Sequence, residues 1–178
     1  MSTELPIILD TDFLSSFAWV DRLDILEGLY SKRMLILEEV LEELRRVPHL
    51  ASRVESSIKK GHIKRESMFA DSPEALQLAT FLDSGRYGAG EASCMAYLTQ
   101  HEGIMGSNNL SDVKEFCVQK GKTLLTTADV LYQAYEVGHI SIEEADKIWS
   151  DMLSKRRKLP TPSFSEYVSG IKKGANQL

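Results

Sequence analysis

Four short apolar runs and one weaker strand signal, each followed by residues with helical spacing, set what this chain can fold into. Leu5-Pro6-Ile7-Ile8-Leu9 runs into Asp10, and Met34-Leu35-Ile36-Leu37 runs into Glu38. His62-Ile63-Lys64 is a weaker third run, Gly103-Ile104-Met105-Gly106 a fourth, and Thr123-Leu124-Leu125 a fifth. Runs this short, bounded by turn residues, read as buried strands; they are expected over 5–10, 34–37, 62–65, 103–107 and 123–126. Between them apolar residues recur at helical spacing. Phe13 to Tyr30 is expected as helix with a break near Trp19–Asp21, and Val40 to Ile58 as helix with a boundary at Pro48. Ser72-Pro73 is a helix start with proline at the first position. Glu91–Gln100 and Ser111–Gln119 follow as helices. Thr126 and Ser141 each head a sequence that resembles a capping box. Strands alternating with helices imply an α/β fold with a mostly parallel sheet. In such sheets ligands gather at the carboxyl ends of the strands.

Other classes are excluded by length and composition. With 178 residues, 43% hydrophobic and 26% charged, the chain can bury a core without disulfides or a structural metal. No apolar run approaches the ~18 residues of a membrane span. Met1–Asp10 has no basic segment and no long apolar core, so it reads as structure rather than as a signal peptide. Cys94 and Cys117 lie in helical apolar patterns and are expected as buried free thiols of a cytoplasmic protein. His49, His62, His101 and His139 are scattered, and no Cys-x-x-Cys occurs, so a zinc site is rejected.

The net charge of −5 argues against generic coating of DNA. Charge is uneven, however. Six basic residues against one acid give residues 155–178 a charge of +5, which leaves −10 on residues 1–154. The expected organisation is therefore a domain over 1–154 and a basic C-terminal extension over 155–178, in which Arg156 and Arg157 are weak candidates for RNA phosphates. A solvated helix end is the plainer reading of that stretch.

Acids follow the strands. Asp10-Thr11-Asp12 closes the first, the helix after the second carries Glu38, Glu39, Glu42 and Glu43, Gly90-Glu91 opens a helix, and Asn108, Asn109 and Asp112 follow the fourth. Carboxylates brought together repel, and their pKa values rise unless a cation holds them. An all-oxygen donor set suits Mg²⁺ or Mn²⁺, and two such ions about 4 Å apart can cleave a phosphodiester. The competing explanation is that acids at helix starts complement the helix dipole.

Ile8-Leu9-Asp10-Thr11-Asp12-Phe13-Leu14 resembles the opening of the PIN-domain family. Leu37-Glu38-Glu39-Val40-Leu41-Glu42-Glu43-Leu44 is similar to its second segment, Ala89-Gly90-Glu91-Ala92-Ser93 to its third, and Ser107-Asn108-Asn109 with Asp112 stands where its last acidic motif falls. The resemblance runs over roughly residues 5–130. It implies a three-layer α/β/α sandwich with a central parallel sheet, plus an extra C-terminal helix. It further implies an acidic pocket of Asp10, Glu43, Glu91 and Asp112, in which Asp10, Glu91 and Asp112 hold Mg²⁺ or Mn²⁺ and single-stranded RNA is cleaved. Many members are VapC-type toxins, so a small antitoxin protein is an implied partner; a homodimer is left open. Glu42 competes with Glu43, but consecutive helical residues point about 100° apart, and Glu43 fits the family pattern. Thr11 is a candidate donor to a pocket carboxylate, and Asp12 an extra acid. Asn108 and Asn109 depart from the family's acids, and the loss of charge puts a second ion in question.

Two other readings stand beside the nuclease. One is a non-catalytic PIN fold that binds a partner. The other is a phosphatase of haloacid-dehalogenase type, with Asp10 as nucleophile and Asp12 as general acid, although Phe13 replaces that family's usual glycine. Trp149 and Tyr132 are expected in the core, and Tyr87 as an exposed aromatic beside Glu91.

Overall fold

The computed structural model describes residues 4–175; Met1–Thr3 and Asn176–Leu178, the outer ends of the two expected units, lie outside the described residues. The elements are β1 (Ile7–Leu9), α1 (Thr11–Trp19), α2 (Leu23–Tyr30), β2 (Met34–Leu37), α3 (Glu38–Arg45), α4 (Pro48–Lys59), β3 (Ile63–Glu66), α5 (Pro73–Asp83), α6 (Ala89–Gln100), β4 (Ile104–Gly106), α7 (Asp112–Lys120), β5 (Thr123–Leu125), α8 (Thr127–Glu136), α9 (Ile142–Ser154) and α10 (Phe164–Ala175). The sheet runs β3-β2-β1-β4-β5 with every pairing parallel. Helices cover it to give the expected three-layer α/β/α sandwich.

The sequence explains this order of burial. β1 and β2 are apolar at every position and fully buried, as a parallel sheet covered on both faces requires. The edge strand β3 buries Ile63 and leaves Lys64 and Arg65 exposed. The expected helix breaks occur where local chemistry puts them. Asp21 turns the chain between α1 and α2 with a φ of 57°, a left-handed position that Asp tolerates better than most residues. Pro48 opens α4. Ser72 caps α5 through Ala75 N–H at 3.2 Å. Thr126 and Ser141 form complete capping boxes with Asp129 and Glu144.

Two features place the site. The chain moves outward from β1 through β2 to β3, then returns to add β4 on the other side of β1. The crevice between β1 and β4 is thus the switch point at which α/β sheets bind ligands. Leu9 is in register with Gly106, and Asp10 N–H donates to the Gly106 carbonyl at 3.0 Å. A Cβ on Gly106 would lie 3.2 Å from the Phe13 ring, so the glycine lets α1 lie close against β4.

The second feature is the C-terminal segment. Trp149 is fully buried and stacks edge-on against Phe164 at 5.8 Å between ring centres. Its indole N–H donates to the Thr161 carbonyl at 2.8 Å, and Ser165 N–H donates to Asp146 at 2.9 Å. These contacts pin α10 to α9 and draw residues 155–160 back over the carboxyl edge of the sheet. Trp149 is core, as expected; Tyr132 is only partly buried against that core. Cys94 and Cys117 are buried free thiols.

Candidate active site

Asp10 stands at the N-cap of α1, where an aspartate usually accepts a bond from its own helix. Here it makes no side-chain cap. Its carboxylate, only 5% exposed, accepts instead from the Ser107 hydroxyl at 2.9 Å, across from β1 to the end of β4. Burial pushes its pKa up to about 7; the Ser107 bond opposes the shift, and the charges of Glu91 and Asp12 add to it. Glu91, in the first turn of α6, is also raised, again by burial first and then by the charges of Asp112, Glu43 and Asp12. Repulsion was the expected cause. Burial outranks it, because the strand-end position of Asp10 removes water before neighbouring charges matter.

The two asparagines have separate work. Asn108 donates to Thr127 Oγ1 at 2.9 Å and accepts from Thr127 N–H at 2.9 Å. It clamps β4 to the start of α8. Asn109 donates to Glu91 Oε1 at 2.9 Å, while its carbonyl accepts from Ser111 and Asp112 N–H at 3.0 and 3.1 Å. One neutral side chain thereby organises the start of α7 and steers Glu91.

Glu43 faces the site, and Glu42 is exposed to solvent. Both Glu43 oxygens are engaged: Oε2 accepts from Thr11 Oγ1 at 2.6 Å and Oε1 from Gly90 N–H at 3.0 Å. A Cβ on Gly90 would lie 2.6 Å from Glu43 Oε2 and would also meet Thr11 Oγ1. Only glycine permits this approach, which joins α1, α3 and α6 beside Asp10.

The remaining acids are held by arginines. Arg157 Nη1 lies 3.0 Å from Asp12 Oδ1. Arg86, in the loop before α6, pairs with Asp112 in the first turn of α7. Asp10, Asp12 and Glu91 line a cleft of about 1250 Å³, and with Thr11 and Glu43 they line a smaller adjoining pocket of about 330 Å³. The structure thus brings Asp10, Asp12, Glu43 and Glu91 together, whereas Asp112 lines neither space. Lys114, Arg156 and Lys158 stand along the large cleft, and all three are exposed. Tyr87 departs from expectation: it is half-buried, edge-on to Phe81 at 5.6 Å.

Among the described residues no three His, Cys, Asp or Glu side chains form a ready ligand group for a metal. The donor chemistry nevertheless fits a hard cation. Mg²⁺ commonly takes one or two carboxylates and fills its shell with water and substrate phosphate. Asp10 and Glu91 are two buried or half-buried acids, and burial first, then neighbouring charge, raises the pKa of each, so a cation that held them would favour their ionised form.

A family model described as a PIN domain matches residues 6–173. The chain belongs to the PIN-domain family. PIN domains are in general nucleases, so membership sets aside the phosphatase alternative and turns the edge at Asp10 and Glu91 into a candidate nuclease centre. No curated protein and no solved structure compared with this PIN domain matches it. Among the described residues no helix is long and apolar enough to cross a membrane.

Sequence reasoning missed Ser107, Arg86 and the reach of Arg157 to Asp12. Ser107 carried a usable signal, since it directly follows the strand that neighbours β1. Arg86 and Arg157 carried none, because the ion pairs they form span 26 and 145 residues.

Proposed function

We propose that this PIN domain is a metal-dependent endoribonuclease acting on single-stranded RNA. The observation that carries the reading is Asp10: a buried carboxylate at the switch point, held by Ser107, facing Glu91, in a cleft whose exposed wall is basic. Asp10 and Glu91 are the residues that would hold Mg²⁺ or Mn²⁺. When bound, such an ion polarises a phosphodiester and makes its water a nucleophile near neutral pH.

The chain's own residues do the rest. Ser107 fixes the rotamer of Asp10, and Asn109 aims Glu91 toward it. Glu43 is a positioning residue: by accepting from Thr11 and Gly90 it sets the start of α6, and so the place of Glu91. Lys114, Arg156 and Lys158 draw the phosphates of a flexible strand along the cleft, which offsets the acidic floor.

The test is cleavage of a fluorescence-quenched single-stranded RNA by the wild type and by Asp10→Asn, purified side by side. Wild-type cleavage should require Mg²⁺ or Mn²⁺, stop with chelator, and vanish in Asp10→Asn. Equal rates in the two proteins would assign the signal to a contaminant and favour a non-catalytic, partner-binding role.

A further inference from the structure

We infer that Arg157 is the resident cation of this site: its guanidinium occupies the place beside Asp12 that a second metal ion would take, so the pocket loads one ion fewer than its acids would otherwise hold. The inference rests on the nuclease reading above for the ion that Asp10 and Glu91 hold.

The placement of each acid leads to it. A pair of ions working together needs several carboxylates free to ligate and bridge. Here Glu43 has both oxygens engaged by Thr11 and Gly90, Asp112 is paired with Arg86, and Asn108 and Asn109 bring no charge. Asp12 is the one further acid beside Asp10 and Glu91 that lines both spaces, and its field reaches both of them. It is the acid that Arg157 holds.

Arg157 is not a loose surface arginine. Its side chain is only 22% exposed. Nε donates to the Lys155 carbonyl at 3.1 Å, and Nη1 donates to Asp12 and, at 3.4 Å, to Ser15 Oγ. Arg156 before it takes a left-handed turn, with a φ of 59°, which directs the two arginines differently. Arg156 stays exposed, while Arg157 is tucked between the large cleft and the small pocket and lines both. Nη2 makes no hydrogen bond to the described residues. A guanidinium is charged at every relevant pH and presents a planar fork that suits phosphate. It therefore supplies fixed positive charge where a second ion would supply a dissociable one.

The experiment counts ions rather than turnover. Bound Mn²⁺ per chain is measured by electron paramagnetic resonance on the full-length wild type, Arg157→Ala, Arg157→Lys and the double variant Arg157→Ala/Asp12→Asn. Arg157→Ala should bind one Mn²⁺ more than the wild type. Arg157→Lys, which keeps the charge, should match the wild type, and the double variant should lose the extra ion. Equal counts for wild type and Arg157→Ala overturn the inference, and so does an extra ion that appears with lysine or persists without Asp12. If circular dichroism shows Arg157→Ala unfolded, Arg157→Gln takes its place, with the same outcomes. RNA cleavage is assayed separately on the same wild-type sample. Its absence would sink the nuclease reading, while the difference in ion count would still decide the role of Arg157.

Discussion

The Thr11 hydroxyl donates to Glu43 across 32 positions of sequence, at 2.6 Å, and the space around this bond is closed by the bare Cα of Gly90. Gly90→Ala should therefore push Glu43 and Thr11 apart. The expected loss of stability is about 1–3 kcal/mol, the usual range for an overpacked site, read from urea denaturation. RNA cleavage should fall with it, because Glu91 sits one residue further along the same helix. Ala89→Gly, one residue earlier, should leave cleavage near the wild-type rate.

Asp10 makes stability depend on pH in a definite direction. Its pKa rises from 3.8 to about 7 on folding, so the folded state binds this proton more tightly than the unfolded state does. The contribution is fully present below pH 3.8 and is lost as pH climbs through the window to about 7. A difference of that size corresponds to on the order of 4 kcal/mol. In chelator, Asp10→Asn and wild type should be similarly stable near pH 4, and the variant more stable by a few kcal/mol near pH 8. Parallel stability curves for the two across this range would refute the assignment.

A divalent cation should reverse that penalty. At pH 8, Mn²⁺ should raise the Tm of the wild type, because it binds the folded state selectively, and leave Asp10→Asn nearly unchanged. A scan of thermal midpoint against Mn²⁺ concentration reads both.

Asn109→Asp replaces a donor to Glu91 with a like charge. In chelator it should cost about 1.5–3 kcal/mol, the worth of a hydrogen bond to a charged group, with the new repulsion adding to it. With Mg²⁺ present the loss should disappear, since the new carboxylate adds a charged ligand, and cleavage should equal or exceed the wild-type rate. Paired melts with and without Mg²⁺ check the first part, and the quenched-RNA assay the second.

The wall of the cleft sets the salt response. Neutralising Lys114, Arg156 and Lys158 together should weaken binding of single-stranded RNA in the presence of catalytically inert Ca²⁺. The slope of log affinity against log salt should become shallower by up to about 0.7 for each phosphate that is no longer neutralised. An unchanged slope in fluorescence anisotropy would show that RNA follows another path.

Four of the strands were legible because each is a short apolar run with a turn signal beside it, as at Met34–Leu37; β3, with Ile63 as its one apolar residue, was legible only weakly, from the Gly61 before it. Helix starts were legible where chemistry is local, as at Ser72, Thr126 and Ser141, whose bonds reach three residues. Asp10 meets Ser107 because β1 and β4 are neighbours in the sheet, a pairing that no local signal in either strand announces. What the sequence could not show is which acids are already engaged. Asp12 and Asp112 look alike as residues that follow a strand. Their different surroundings depend on Arg157 and Arg86, which arrive from loops remote in sequence. Nor does composition reveal that burial, more than crowding, lifts Asp10; that depends on how completely α1 and β4 shut out water.

The docking of Phe164 on Trp149 bears on how the arginine loop meets its substrate. Because both ends of residues 155–163 are tied to the body of the molecule, the chain entropy lost in ordering this loop is given up once, when the protein folds. A free basic tail would surrender the same freedom at every encounter with a nucleic acid, and its affinity would be lower by that amount. Loosening the indole–Thr161 bond, far from any phosphate, would hand that loss back to the binding step.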